Sequence, residues 1–283
     1  MKRIFIVPNP KKDKDYAITK KVANFLKEYG AEVFISNEYE DSDISFVKYR
    51  DSNIMDIELV IVIGGDGSFI DATSYAIDSD VPILGVNLGK VGYLNEVEES
   101  DLSVLKGIFE NTYKIEEKIL LSFTYTKNGQ TAVCKRLAVN DVVISHSSYL
   151  GIADFVVYSK DGGIRYRADG VVFSTPQGST AYSLSAGGPV VSHDANAVIV
   201  TPIAPHSFFN RSIVFSESEE IKLKNTSSEP LNISIDGRYY DKILSNEKCL
   251  VRAAEKKLKV LTFKDNNMFS NLFSKMQILE DII

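Results

Sequence analysis

Apolar residues fall in short blocks, and the spacing within the blocks changes partway along the chain. Arg3–Val7 reads as a first strand. Ile18, Val22, Phe25, Leu26 and Tyr29 follow at helical spacing, with Gly30 as the stop. Ala31–Ser36 predicts a second strand, and residues 37–57, acidic and polar without a sustained period, predict a mobile surface segment. Leu59–Ile63 is an unbroken apolar run, the pattern of a strand buried on both faces of a parallel sheet. Phe69, Ile70, Thr73 and Ile77 return to helical spacing, and Val81–Asn87 is another apolar run. This alternation predicts a doubly wound parallel sheet whose ligands sit at strand C-terminal ends.

After a helix over roughly 100–110 the period becomes two. Leu120–Thr126 and Thr131–Ser145 predict a hairpin on an Asn128-Gly129 turn. Further strands are expected at Ile152–Tyr158, Val171–Thr175, Ala197–Pro202, Ile213–Phe215, Leu231–Ile235 and Leu250–Phe263. The fold class is therefore α/β plus all-β. A Rossmann-like parallel-sheet domain is expected over 1–100 and a β-rich, sandwich-like domain over 101–264, with a C-terminal helix in 265–283 docking back on the first.

Composition narrows the function classes. The 283 residues can bury a sizeable core, and 44% hydrophobic with 25% charged content is ordinary for a soluble globular protein. A net charge of −6 argues against nucleic acid and against an anionic membrane surface as partners. Cys134 and Cys249 have neither metal-ligand spacing nor a disulfide framework, and Lys2 and Arg3 precede only four apolar residues before Pro8, too few for a signal peptide. The expectation is a cytoplasmic protein.

Two stretches carry chemistry. Gly64-Gly65-Asp66-Gly67-Ser68 joins the apolar strand to a helix. A strand, a glycine turn with unusual backbone freedom and a helix N-terminus together suit a phosphate. Asp66 either does chemistry in that turn or merely caps the helix, and the turn alone leaves both open. Asn87, Gly89 and Gly92 form a second glycine-rich loop that could face the first. Further on, residues 169–189 end a strand at Thr175, turn at Pro176 and Gly178, and start a short helix that Gly187-Gly188-Pro189 must stop. Hydroxyls plus Tyr182 on that helix suit a ribose and a stacked base; a helix cap with a buried tyrosine would read the same.

The motifs resemble those of a known family. Gly64-Gly65-Asp66-Gly67-Ser68 is similar to a turn shared by NAD kinases, diacylglycerol and sphingosine kinases and phosphofructokinases. Asp169-Gly170 with the run Thr175–Pro189 resembles the long signature of NAD kinases alone, and Asn140-Asp141 sits where that family carries Asn followed by an acid. Gly85–Gly89, Pro202–His206 and Asp236-Gly237-Arg238 match further landmarks, with Ser68 and Arg238 as departures from the usual Thr and a frequent Gln.

The resemblance implies transfer of the ATP γ-phosphoryl group to the 2′-hydroxyl of the adenosine ribose of NAD, with Mg²⁺ brought by ATP. It implies Asp66 as the catalytic residue, accepting or orienting the 2′-hydroxyl proton, with Gly67 beside it. Asn140 and Asp141 would hold the adenylate, while Thr180, Ala181, Tyr182, Ser183, Leu184 and Ser185 would line the dinucleotide site. Ala204 and Arg238 complete the nucleotide-binding set. Arg167 and Asp169 would reach a neighbouring subunit's dinucleotide, so a homo-oligomer (dimer or tetramer) with shared sites is expected. The alternatives are a lipid kinase using the same turn, and a dinucleotide sensor that has lost the chemistry. The first would need a membrane-facing basic helix, and the second would have no use for Asp66.

Overall fold

The computed structural model describes residues 2–36, 45–46, 56–89, 94–127, 129–147 and 151–263. Most of the 37–57 segment, Gly92, Asn128 and the C-terminal helix expected in 265–283 lie outside the described residues. The chain divides into two compact units, one of residues 1–117 with the chain from 258 onward, the other of residues 118–257.

In the first unit the sheet runs, edge to edge, Ser45–Phe46, Glu32–Ile35, Arg3–Pro8, Leu59–Gly64, Ile83–Asn87, Leu258–Thr262, Lys114–Lys118, with Val97–Glu98 also paired to Ile83–Asn87. Arg3–Pro8 is parallel to both Glu32–Ile35 and Leu59–Gly64. The chain leaves Arg3–Pro8 toward one edge and returns on its other side as Leu59–Gly64. The strand order therefore reverses between these two strands, where an open α/β sheet leaves a crevice beyond its strand ends. Leu59–Gly64 and Ile83–Asn87 are buried at every position, as strands covered on both faces must be. The Ala17–Glu28 helix presents Ile18, Val22, Ala23 and Leu26 to the core, and Gly30, at φ +83°, ends the turn beyond it.

The second unit is a sandwich. One antiparallel sheet orders Ile213–Ser216, Ala197–Ile203, Gly170–Ser174, Asp141–His146, Leu231–Ile235 and Arg238–Ile243. The other orders Gly162–Ala168, Ala153–Ser159, Ile221–Asn225, Lys248–Ala253, Leu121–Lys127 and Gln130–Val133. Phe123, Phe155, Tyr166, Leu223 and Val251 from one sheet share a core with Ile144, Val171, Phe173, Val200 and Ile233 from the other. Leu121–Lys127, Ile221–Asn225 and Leu231–Ile235 alternate buried and half-buried residues, the mark of sheets with one dry face.

Three expectations change. The run expected as one strand over Thr131–Ser145 is two, Gln130–Val133 and Asp141–His146, in different sheets. Leu250–Phe263 is likewise two: Lys248–Ala253 stays in the sandwich, and Leu258–Thr262 crosses to the parallel sheet, placing Val260 opposite Ile83. Charged Glu255, Lys256 and Lys257 make the break. The helix expected after Gly178 is two short pieces, Gln177–Thr180 and Tyr182–Ser185, separated by Ala181 at φ −99°, ψ −128°. Ala181 and Ser185 therefore do not share a helix face.

Candidate active site

The first cluster lies at the strand-order reversal in the first unit. Gly65 precedes the Asp66–Ser79 helix, which buries Phe69, Ala72, Thr73 and Ala76 against the sheet. The N-cap position belongs to Gly65, and the Asp66 carboxylate reaches the neighbouring strand-end loop. Oδ1 of Asp66 accepts the Leu94 backbone N–H at 3.1 Å and the Asn95 side-chain amide at 3.2 Å. The Leu88 N–H donates to Gly64 O at 2.9 Å, so the loop after Ile83–Asn87 does come back to the glycine turn.

None of Gly64, Gly65 and Gly67 has a positive φ, so close approach, not backbone freedom, explains Gly64 and Gly65. A Cβ on Gly64 would press on Ser68, and one on Gly65 would lie 2.6 Å from the Lys12 ammonium. A Cβ on Gly67 would meet no atom within 4 Å among the described residues outside its own helix and its chain neighbours. Packing among the described residues gives no reason for a glycine there.

Sequence reasoning missed three residues of this cluster. Asn9, just past the Arg3–Pro8 strand, donates from Nδ2 to Ser68 Oγ at 2.6 Å and accepts the Lys11 N–H at Oδ1. It thereby fixes the loop that brings Lys12 over Gly65. Position at the end of the central strand was the available signal for both. Asn95 offered none, being 29 residues from Asp66 in sequence.

The second cluster, in the second unit, is built around the backbone of Asn140. Asp236, at φ +48° in its Asp-Gly turn, takes the N–H groups of Val139, Asn140 and Asp141 at 3.1, 2.8 and 3.2 Å. Asn140 O accepts the Thr175 N–H at 2.9 Å, while Thr175 Oγ1 donates to Val139 O and accepts the Gly178 N–H. Gly178 rests directly on the Asn140 main chain, where a Cβ would collide with Asn140 O. The Thr175–Gly178 run of the signature is thus a clamp on Asn140.

Asp141 is buried at 4% exposure, and burial, followed by the adjacent Asp236 charge, pushes its carboxyl up to about 7. Burial also raises Asp236, opposed by the three N–H donors it accepts and by Arg136.

Tyr182 is 46% exposed, so it is no core residue, and Leu184 and Ser185 are exposed beside it. Thr180 and Ala181 are half-buried. The Ser183 side chain faces inward, fully buried at 3.1 Å from Thr201 Oγ1, and anchors the segment to the sheet. Arg238 is exposed just beyond the Asp236-Gly237 turn.

A third cluster holds Arg167, Asp169 and Ala204. Arg167 is exposed and Asp169 half-buried. The Arg167 N–H donates to Ser207 Oγ and its carbonyl accepts the His206 N–H, both at 2.7 Å; the Asp169 N–H donates to Ile203 O at 3.0 Å. The Pro202–His206 run therefore braces this corner, with Ala204 exposed at φ +43°.

The family model for the ATP-NAD kinase N-terminal domain matches residues 4–113, and the one for the ATP-NAD kinase C-terminal domain matches residues 139–263. An NAD kinase of Lachnoclostridium phytofermentans is 34% identical over 97% of this chain and 99% of its own length. One of Caldanaerobacter subterraneus subsp. tengcongensis is 35% identical over 98% and 99%. Two solved structures share the fold. Yeast NADH kinase complexed with NADH has a TM-score of 0.85 at 21% identity, covering 96% of this chain and 86% of its own. An Archaeoglobus fulgidus NAD kinase in complex with ATP has a TM-score of 0.75 at 23% identity, covering 97% and 98%. Both halves of the chain match, and the relatives align over nearly its whole length: it belongs to the NAD kinase family.

Proposed function

We infer that the protein transfers the γ-phosphoryl group of ATP to the 2′-hydroxyl of the adenosine ribose of NAD, giving NADP and ADP. The observation that carries the chemistry is Asp66, a carboxylate held from two sides at a helix N-terminus where the sheet order reverses. The 2′-oxygen bonds to the γ-phosphorus as the bridging bond to the β-phosphate breaks, and the hydroxyl proton passes to Asp66. Phosphoryl transfer asks a protein chiefly for positioning and charge neutralisation, which a helix N-terminus with Lys12 over Gly65 suits. Open space at Gly67 suits the approach of phosphate to backbone.

The clamped Asn140, with Asp141, holds the adenylate part of NAD. Thr180, Ala181, Tyr182, Leu184 and Ser185 line the dinucleotide, with Tyr182 stacking and Ser183 anchoring the segment from below. Mg²⁺ is carried in by the triphosphate. The enzyme works as a homo-oligomer in which Arg167 and Asp169 serve a neighbour's site, while Ala204 and Arg238 belong to the nucleotide-binding set. Two free, buried cysteines suit a reducing cytoplasm. No described helix is long and apolar enough to cross a membrane. The family match does not favour a lipid kinase or a sensor.

The test is to incubate the pure protein with NAD, ATP and Mg²⁺ and assay for NADP, with diacylglycerol as a parallel acceptor. NADP formation is expected. Phosphorylation of the lipid alone, or of neither acceptor, would overturn the reading.

A further inference from the structure

We propose that Asn95 is a positioning residue for phosphoryl transfer, setting the direction in which Asp66 meets the acceptor hydroxyl. The proposal rests on the role of Asp66 given above. Asn95 is 6% exposed, and its Nδ2 donates to Asp66 Oδ1 at 3.2 Å. Its own Oδ1 is enclosed and has no hydrogen-bond partner among the described residues. Turning the amide over would face two acceptor oxygens, so the carboxylate dictates which way round it sits.

A buried carbonyl oxygen without a partner is a standing destabilisation. A residue serving packing alone would be better replaced by an apolar one of the same size. The fold nevertheless makes room for it: any Cβ on Gly85 would collide with Asn95 Oδ1, and glycine weakens the interior of the strand it occupies.

The segment carrying Asn95 is braced on both sides. The Glu96 N–H donates to Gly85 O at 3.1 Å, and Val97–Glu98 pairs in parallel with Val86–Asn87. Glu96 Oε1 accepts the Phe263 N–H at 2.7 Å. Asn95 is therefore a fixed donor on the sheet, not a residue of a loop that could follow Asp66 about. With the Leu94 N–H also on Oδ1, the carboxylate is held from two directions, and Oδ2 keeps a single orientation.

A double-mutant cycle tests this. Asp66→Asn is expected to lower kcat by at least ~100-fold. Asn95→Ala should lower kcat about tenfold, the loss of one hydrogen bond to a charged group, leaving KM for NAD and ATP within about twofold. In the Asp66→Asn background, Asn95→Ala should have no further effect, because the group it orients is gone. Losses that multiply in the double variant would place Asn95 on another task and overturn the proposal. So would normal kcat in Asn95→Ala when Asp66→Asn is dead. Normal kcat in Asp66→Asn would instead sink the reading of Asp66 itself. Should Asn95→Ala fail to fold, Asn95→Asp keeps the volume and sets a second carboxylate against Asp66. It is expected to lower kcat more than tenfold with NAD affinity kept, and unchanged kcat in that variant would also overturn the proposal.

Discussion

Asn140 and Asp169 stand at opposite ends of one antiparallel strand pair. Asp141, next to Asn140, is opposite Ser174, and Ser145 is opposite Gly170, next to Asp169. At about 3.3 Å per residue the two ends are on the order of 20 Å apart. The strands between them offer no track for a ligand, since every residue of Gly170–Ser174 and of Asp141–Ile144 is buried. A dinucleotide held at Asn140 therefore cannot run along these strands to Asp169.

Stability should depend on pH through Asp141. An unfolded aspartate releases its proton near pH 4, whereas Asp141 holds it to about 7 because it is buried beside Asp236. The folded state binds the extra proton across that window, so this contribution is fullest at the acid end and is lost as pH rises through 7. The full swing is on the order of 4 kcal/mol. Urea unfolding at pH 5.5 and 8 should give wild type a steeper loss of stability than Asp141→Asn. Equal slopes would mean that Asp141 titrates normally.

Tyr182 is exposed, so its removal should be felt by ligand and not by fold. Replacing it with Ala is expected to weaken NAD binding by about 1–3 kcal/mol, the range for a lost aromatic–base stack. Calorimetric titration with NAD and a melting curve check both halves. A large fall in melting temperature with affinity unchanged would assign Tyr182 to packing.

Two glycines should respond oppositely to the same methyl group. Gly178→Ala drives a Cβ into Asn140 O, so melting temperature and NAD affinity should fall together. Gly67→Ala meets no atom within 4 Å among the described residues outside its own helix, and it lies inside a helix, where Ala is favoured by up to about 1 kcal/mol. Its melting temperature should hold or rise while KM for ATP increases. If Gly67→Ala leaves ATP kinetics untouched, no phosphate approaches the turn there.

The parallel half was legible because its strands are continuous apolar runs and its helices keep one period. The sandwich was less so. Ile221–Asn225 alternates Ile and Leu with Lys, a strand signal that two flanking acidic residues and a lysine-rich surface obscured. The crossing at Glu255–Lys257 depends on where the Leu258–Thr262 strand finds a partner, and Ile83 is far away in sequence. Motif residues stood out at Asp66, Asn140 and Asp169, but the groups that hold them did not. Asn95 and the clamp at Gly178 act through main-chain and buried contacts that no local spacing reports.

The separation of Asn140 from Asp169 makes a test of shared sites possible. If Asp169 acts across a two-fold axis, each site combines Asp66 of one subunit with Asp169 of the other. Asp66→Asn and Asp169→Ala should each be inactive alone. Unfolded together in equal amounts and refolded, half the dimers are mixed. In a mixed dimer one site has both carboxylates intact and the other has neither. Activity should then return to about a quarter of wild type. If Asp169 serves its own chain, every site in every dimer keeps one lesion. The refolded mixture then stays as inactive as its parents, and sharing is excluded.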